Sequence, residues 1–232
     1  MKITKLILKT IITVAILVSA VASGSATAAN ANNDLVPATA SQAQIKKLTA
    51  QGFTYSTKTG YIWPVKGSMH ISSGEGSRHL AYAATNFHYG YDFVPGKSKS
   101  FYAMRGGIVI AAGAHDRAHN FQMAGNVIIV KQDDGKYAVY SEFRNGSQTV
   151  RRGQYVAQGQ KLGTMGVSGM TSGTHVHIGI TNQAWPGYGR SGVSMAGNGR
   201  KGWVMLHKYL DVKRVYGEGR RSAATITTGQ LN

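Results

Sequence analysis

Glycine punctuates every β-prone run between residues 60 and 182, and thirty of the 232 residues are glycine. Glycine weakens helices and supplies turns and bulges, so this texture argues against a helical domain. The runs themselves are short: GGIVIAAG (106–113), GNVIIVKQDDGKYAVYSEF (125–143), QTVRRGQYVAQGQKLGTMG (148–166) and THVHIGIT (174–181). Residues 126–130 and 136–140 alternate as strands with one buried face do, and Asp133-Asp134-Gly135 between them is a hairpin signal. The expected fold is all-β, an antiparallel sandwich or partly open barrel. Beyond residue 182 the pattern weakens into a C-terminal extension, with a short helix expected around residues 202–211 that packs as an accessory arm or remains coil.

The N-terminus has a different character. Residues 1–29 carry Lys2, Lys5 and Lys9, then an apolar run from Ile11 to about Val21, then small residues up to Ala29. That order is a secretory signal peptide, too short in its apolar part for a comfortable membrane span. Residues 30–59 read as a linker, with a short helix around residues 42–48, and residues 60–182 as the folded domain. The expected location is extracellular or cell-wall associated, with no stable membrane insertion after cleavage and a monomeric chain.

Removing residues 1–29 takes away three lysines and leaves 23 basic against nine acidic side chains, a formal charge of +14. Such a surface favours polyanions, in an exported protein cell-wall polymers or membrane surfaces. Nucleic acid is not the expected partner, because no zinc-finger spacing, phosphate loop or aromatic-basic signature is present. Cysteine is absent, which excludes a thiol nucleophile and thiolate metal ligands.

The chemistry concentrates in histidines. In GTHVHIGI (173–180) strand alternation points His175 and His177 to one side and Val176 and Ile178 to the other. In NFHYGYDFVPG (86–96) His88 and Asp92 stand four apart and share a side of an extended segment. His88, Asp92 and His177 together make two imidazoles and one carboxylate, a usual ligand number for catalytic zinc. Nine acids supply few oxygens for calcium or magnesium. Spacing alone also allows histidines held in an ordinary hydrogen-bond network.

From about Trp63 to Ile180 the sequence resembles the lysostaphin and LytM type of secreted zinc endopeptidases, which cut peptide cross-links of bacterial peptidoglycan. The likeness rests on YIWPV (61–65), on Arg78-His79 followed by His88-Tyr-Gly-Tyr-Asp92-Phe93, on GGIVIAAG, on the hairpin, on the V-x-x-G-Q-x-V-x-x-G-Q-x-L-G run, and on the closing S-G-x-T-S-G-T-H-V-H. The resemblance implies a lysostaphin-like peptidase fold and one zinc per chain, bound by His88, Asp92 and His177. His175 would face the attacking water and the substrate, where it can exchange protons. The substrates implied are peptidoglycan peptides.

One position departs from the pattern. Family members usually carry a second non-ligand histidine in a Y-x-H-L segment, and this chain has Tyr140-Ser141-Glu142-Phe143 there. Glu142 therefore falls on a catalytic position. It could serve as general base, oppose the developing oxyanion, close the metal site as a fourth ligand, or simply be a solvated strand residue. The alternative to an active peptidase is accordingly a catalytically impaired wall-binding or regulatory zinc protein.

Smaller expectations complete the reading. His79 is read as an orienting or cleft-wall residue, and Asn86, Tyr89 and Thr174 as candidates to orient a ligand histidine. His115, Asp116 and His119 belong to a long hairpin loop. Trp185 and Tyr188 are candidates for a peptide groove, whereas Tyr102, Tyr137 and Tyr140 are read first as core or sheet surface. His207 is read as a packed or solvated helix residue.

Overall fold

The computed structural model describes residues 40–78, 87–113, 125–182, 202–217 and 223–231, all within one unit, Leu35–Asn232. The expected signal peptide, His79, Asn86, His115, Asp116, His119, Trp185 and Tyr188 lie outside the described residues. No helix among the described residues is long and apolar enough to cross a membrane.

The chain begins with helix α1 (Gln42–Ala50), whose N-cap Ser41 accepts from the Gln44 backbone N–H at 3.2 Å. Strands follow: β1 (Met69–Ser73), β2 (Gly76–Ser77), β3 (Phe87–His88), β4 (Tyr91–Val94), β5 (Ser100–Tyr102), β6 (Gly107–Gly113), β7 (Val127–Gln132), β8 (Tyr137–Ser141), β9 (Tyr155–Val156), β10 (Lys161–Thr164), β11 (Val176–Thr181) and β12 (Trp203–Val204). Helix α2 (Leu206–Leu210), β13 (Ala224–Ile226) and a 3-10 turn at Thr228–Gln230 close the described chain. Gly135, at φ 83°, makes the left-handed turn of the β7–β8 hairpin.

The principal sheet is antiparallel and open, in the order β13-β1-β4-β11-β8-β7-β6-β9, with β12 also paired to β11. Strands β10 and β5 form a second, small sheet, and β2 and β3 a third. Alternation divides the principal sheet as expected. Val109, Ile128, Tyr140, Ile178, Tyr91 and Phe93 face one core, shared with Trp63, Phe101, Met104 and Leu162. Each such side chain, when fully buried, contributes about 1.5–3 kcal/mol. The opposite face carries His177 and Asp92 to one side of the apolar residues Val127, Ile129 and Val139.

Two segments expected to be peripheral are packed. Leu48 and Phe53 cluster with Ile62, and the Ser56 hydroxyl donates to Asp211 at 3.0 Å, so part of the expected linker is pinned to the domain. In the C-terminal extension the short helix forms, Leu206 and Leu210 are fully buried, and β13 extends the principal sheet beside β1.

Candidate metal centre

A single row across the sheet builds the site. Val127 pairs with Ser141, Ser141 with His177, His177 with Asp92, and Asp92 with Ser73. Because side chains alternate, this register places His177 and Asp92 side by side on one face. His88 reaches them from β3, across the Gly90 bend. A Cβ at Gly90 would lie 2.0 Å from the Ile178 carbonyl oxygen, so only glycine lets this bend meet β11 so closely.

The donor atoms converge tightly. His88 Nε2 lies 3.0 Å from Asp92 Oδ1 and 2.8 Å from His177 Nδ1, and His177 Nδ1 lies 2.9 Å from the same Asp92 oxygen. His88 and His177 are buried, and the Asp92 side chain is 15% exposed. This His-Asp-His cluster is capable of coordinating a metal ion. Its chemistry fits zinc, which takes mixed nitrogen and oxygen ligands at about 2.0–2.2 Å, so that tetrahedral ligands stand about 3.3 Å apart. The observed spacings are a few tenths of an ångström shorter, a difference that small side-chain rotations absorb.

Protonation suits the same purpose. The His88 Nδ1–H donates to the Gly74 carbonyl at 2.6 Å, so in the neutral ring Nε2 turns its lone pair toward the cluster. Burial holds the His177 imidazole below its ordinary value, against the pull of Asp92, which favours the neutral form a metal needs. Burial works against the Asp92 carboxylate, yet the imidazoles of His88 and His177 hold it well below the usual carboxylate range. Arg78 stands on the other carboxylate oxygen, with Nη1 3.6 Å from Asp92 Oδ2 and 3.3 Å from the Ser73 hydroxyl.

His175 is two residues from His177 on the same side, but its surroundings differ. A bridge to Gly166 fixes its backbone. Its Nδ1 lies 2.9 Å from the Gly173 carbonyl and 3.2 Å from the Thr171 hydroxyl, and its Nε2 lies 2.6 Å from Glu142 Oε2. Both ring nitrogens thus face oxygen acceptors. Burial would lower the His175 pKa, but the hydrogen bond to Glu142 and the charges of Asp92 and Glu142 outweigh it and raise the value. Nε2 also lies 3.9 Å from Asp92 Oδ1, so the pair adjoins the cluster without entering it.

Glu142 reaches His175 from a strained backbone. Its φ is 65°, a left-handed conformation that costs a non-glycine residue about 1–2 kcal/mol. The corner is held by its backbone N–H donating to the Asn126 carbonyl at 3.0 Å, and by Asn126 Nδ2 and Ser168 Oγ donating to the Phe143 carbonyl.

Several residues escaped the sequence reading. His88 is oriented by Gly74, whereas Tyr89 packs its ring against Phe87 and Trp203. In the sequence Arg78 stands out only as part of the Arg78-His79 motif. The one available signal for Gly74 was its place in Ser73-Gly74-Glu75-Gly76, where closely spaced glycines mark a backbone approach. Tyr102 and Tyr140 serve packing away from the cluster: Tyr102 meets Phe53 edge-on, and the Tyr140 hydroxyl accepts from the Met104 N–H.

The chain is similar to several known proteins. The murein hydrolase activator NlpD of Escherichia coli (strain K12) is 32% identical over 118 residues, which are 51% of this chain and 27% of that protein. The NlpD of Salmonella dublin is 31% identical over 122 residues, 53% of this chain and 28% of that one. The chain thus spans little more than a quarter of the length of these curated relatives. Among solved structures, the catalytic domain of lysostaphin from Staphylococcus simulans is 26% identical, with a TM-score of 0.41 over 48% of this chain and 80% of that one. A zinc-containing peptidase from Vibrio cholerae is 26% identical, with a TM-score of 0.43 over 51% and 35% of the two chains. The family model described as Peptidase family M23 matches residues 86–187, a span that holds His88, Asp92, Glu142, His175 and His177. Over that span, somewhat less than half of the chain, the sequence is similar to peptidase family M23.

Proposed function

We propose that this chain is a zinc-dependent metalloendopeptidase that hydrolyses peptide cross-links of bacterial peptidoglycan. The observation that carries the reading is the convergence of His88 Nε2, Asp92 Oδ1 and His177 Nδ1 within 2.8–3.0 Å beside an unliganded histidine-glutamate pair. Those three side chains would hold the zinc. When bound, zinc supplies a Lewis acid that polarises the scissile carbonyl and acidifies water.

The remaining chemistry belongs to the protein. Glu142 stands at the position where the family usually has its second histidine. Its carboxylate accepts the proton of the attacking water, as a glutamate does in other zinc peptidases. His175 holds a proton at Nε2, which it presents first to the developing oxyanion and then to the leaving amine as the C–N bond breaks. A left-handed backbone at Glu142 is the kind of strain that persists where a side chain must be aimed, and it supports this role. In this reading residues 1–29 are a signal peptide, 30–59 a linker, 60–182 the peptidase domain and 183–232 a C-terminal extension. The protein works outside the cell or on its wall, as a monomer, with a basic surface that favours anionic wall polymers.

A second reading has its own support. Relatives that match half of this chain are named activators of murein hydrolases, and Glu142 brings negative charge to a place where negative charge develops. On that reading the chain is a catalytically impaired, wall-binding or regulatory zinc protein. Purified residues 30–232 loaded with zinc should release soluble fragments from peptidoglycan, and His177→Ala should release none. If the wild type releases nothing while Glu142→His gains release, the enzyme reading is lost and the regulatory one stands.

A further inference from the structure

The family match ends at residue 187, yet the chain returns to the metal centre well beyond it. The return is made at Glu75, a carboxylate 2% exposed in its side chain, one residue from the Gly74 carbonyl that orients His88. Glu75 Oε2 accepts from the Leu206 backbone N–H at 2.6 Å, and Oε1 is engaged by His207 Nδ1, both from α2. Arg214 Nε lies 4.0 Å from the same Oε1, and Arg214 Nη2 donates to the Glu75 carbonyl at 3.3 Å. The backbone is locked as well, since the Glu75 N–H donates to the Val215 carbonyl at 3.0 Å and the Gly217 N–H to the Glu75 carbonyl at 3.1 Å.

Little room is left for this contact to shift. A Cβ at Gly74 would stand 2.2 Å from the Val215 oxygen and 2.5 Å from the Tyr216 oxygen. The Val215 N–H donates in turn to the Tyr91 hydroxyl at 3.0 Å, beside the ligand Asp92. A buried carboxylate so fully matched is strongly fixed in place, because any displacement leaves a charged group unpaired.

We infer that residues 206–217 are a positioning clamp for the metal centre, acting through Glu75 to hold the Gly74 carbonyl against His88 Nδ1. Glu75 is the positioning residue. It keeps the neutral His88 ring in the form whose Nε2 lone pair faces Asp92 and His177. The inference rests on His88 being a metal ligand, and it gives the C-terminal extension a role in metal affinity.

The test uses residues 30–232 with Glu75→Gln, whose amide cannot accept from Leu206 and His207 as the carboxylate does. Two quantities are read: the proton position on the His88 ring in zinc-free protein, by nitrogen-15 NMR under mildly alkaline conditions, and the zinc dissociation constant, by competition with a chromophoric chelator. Wild type should show the Nδ1–H ring. Glu75→Gln should mix the two forms and bind zinc roughly 10- to 100-fold more weakly. Should that variant not fold, His207→Ala removes one donor from the exposed side of the cluster and is expected to shift both readouts in the same sense, with His207→Asn restoring them. Ser56→Ala frees the extension at its other anchor, Asp211, and should change neither readout. An unaltered His88 ring and unaltered zinc affinity in the folded variant overturn the clamp, as does an equal effect of Ser56→Ala. Absence of zinc binding in the wild type would count against the proposed function, while the ring readout would still decide the clamp.

Discussion

The β7–β8 hairpin has an aspartate cluster at each end, and the two are chemically opposite. At the turn, Asp134 Oδ2 accepts from the Tyr61 hydroxyl at 2.6 Å, its Oδ1 accepts from the Lys136 N–H, and Asp133 accepts from the Tyr155 hydroxyl at 2.9 Å. Burial, and then the charge of Asp134, push the Tyr61 hydroxyl well above its ordinary range, so it remains a donor. Arg105 adds a cation 4.0 Å away. At the far end Asp92 Oδ1 lies 3.0 Å from His88 Nε2 and 2.9 Å from His177 Nδ1. The turn cluster meets its carboxylates with hydroxyl and backbone protons and an arginine, whereas the centre around Asp92 sets two imidazoles on one carboxylate oxygen. Both clusters are polar networks, buried or nearly so around Asp92 and partly exposed at the turn, where Tyr155 is 55% exposed. Among the described residues only the second is a cluster capable of coordinating a metal ion, which sets a candidate binding site apart from a stabilising network.

Experiments that exchange the behaviour of the two ends test the contrast. The largest effect is expected from His177→Ala, which should abolish stoichiometric zinc in metal analysis after gel filtration, while Asp134→Asn should leave the zinc content at one per chain. Next comes Glu142→Gln, which should keep the metal and lower turnover on peptidoglycan by about 10² to 10³, because the proton acceptor is lost at constant shape. Zinc at 100 times its dissociation constant should raise stability by about 2.7 kcal/mol in denaturant titrations. Hydrogen exchange should place the added protection around residues 87–92 and 175–178, and equal protection at the Asp133–Gly135 turn would erase the distinction. Arg78→Met should weaken zinc by about tenfold by freeing Asp92 Oδ2. Smallest, Tyr61→Phe should cost about 1 kcal/mol in thermal unfolding and leave zinc affinity unchanged.

Much of this was legible along the chain where the signal is local. The two-residue alternation of 173–180 put His175, just ahead of β11, on the side of His177, and Asp133-Asp134-Gly135 marked the hairpin that carries Ser141 to His177. His88 and Asp92 share a side as their spacing suggested, although a bend at Gly90 rather than one continuous strand brings them there. What escaped depends on partners distant in sequence. Nothing near Gly74 announces that Val215 will lie against it, and nothing near β13 names β1 as its neighbour. The left-handed Glu142 was hidden for a different reason: its conformation is imposed by Asn126 and the Phe143 carbonyl against the preference of a glutamate. Packing of Leu48 and Phe53 was missed because polar residues surround them and dilute the apolar signal.

The row Val127, Ser141, His177, Asp92, Ser73 has a consequence for how the molecule comes to life. Two of its candidate ligands, Asp92 and His177, stand 85 residues apart in sequence, and slipping the β11–β4 pairing by one position would send an imidazole or the carboxylate into the oily side. A misassembled copy would therefore be mute rather than sluggish. Metal uptake by a nascent or renatured sample would then double as a certificate that the β11–β4 pairing has been proofread.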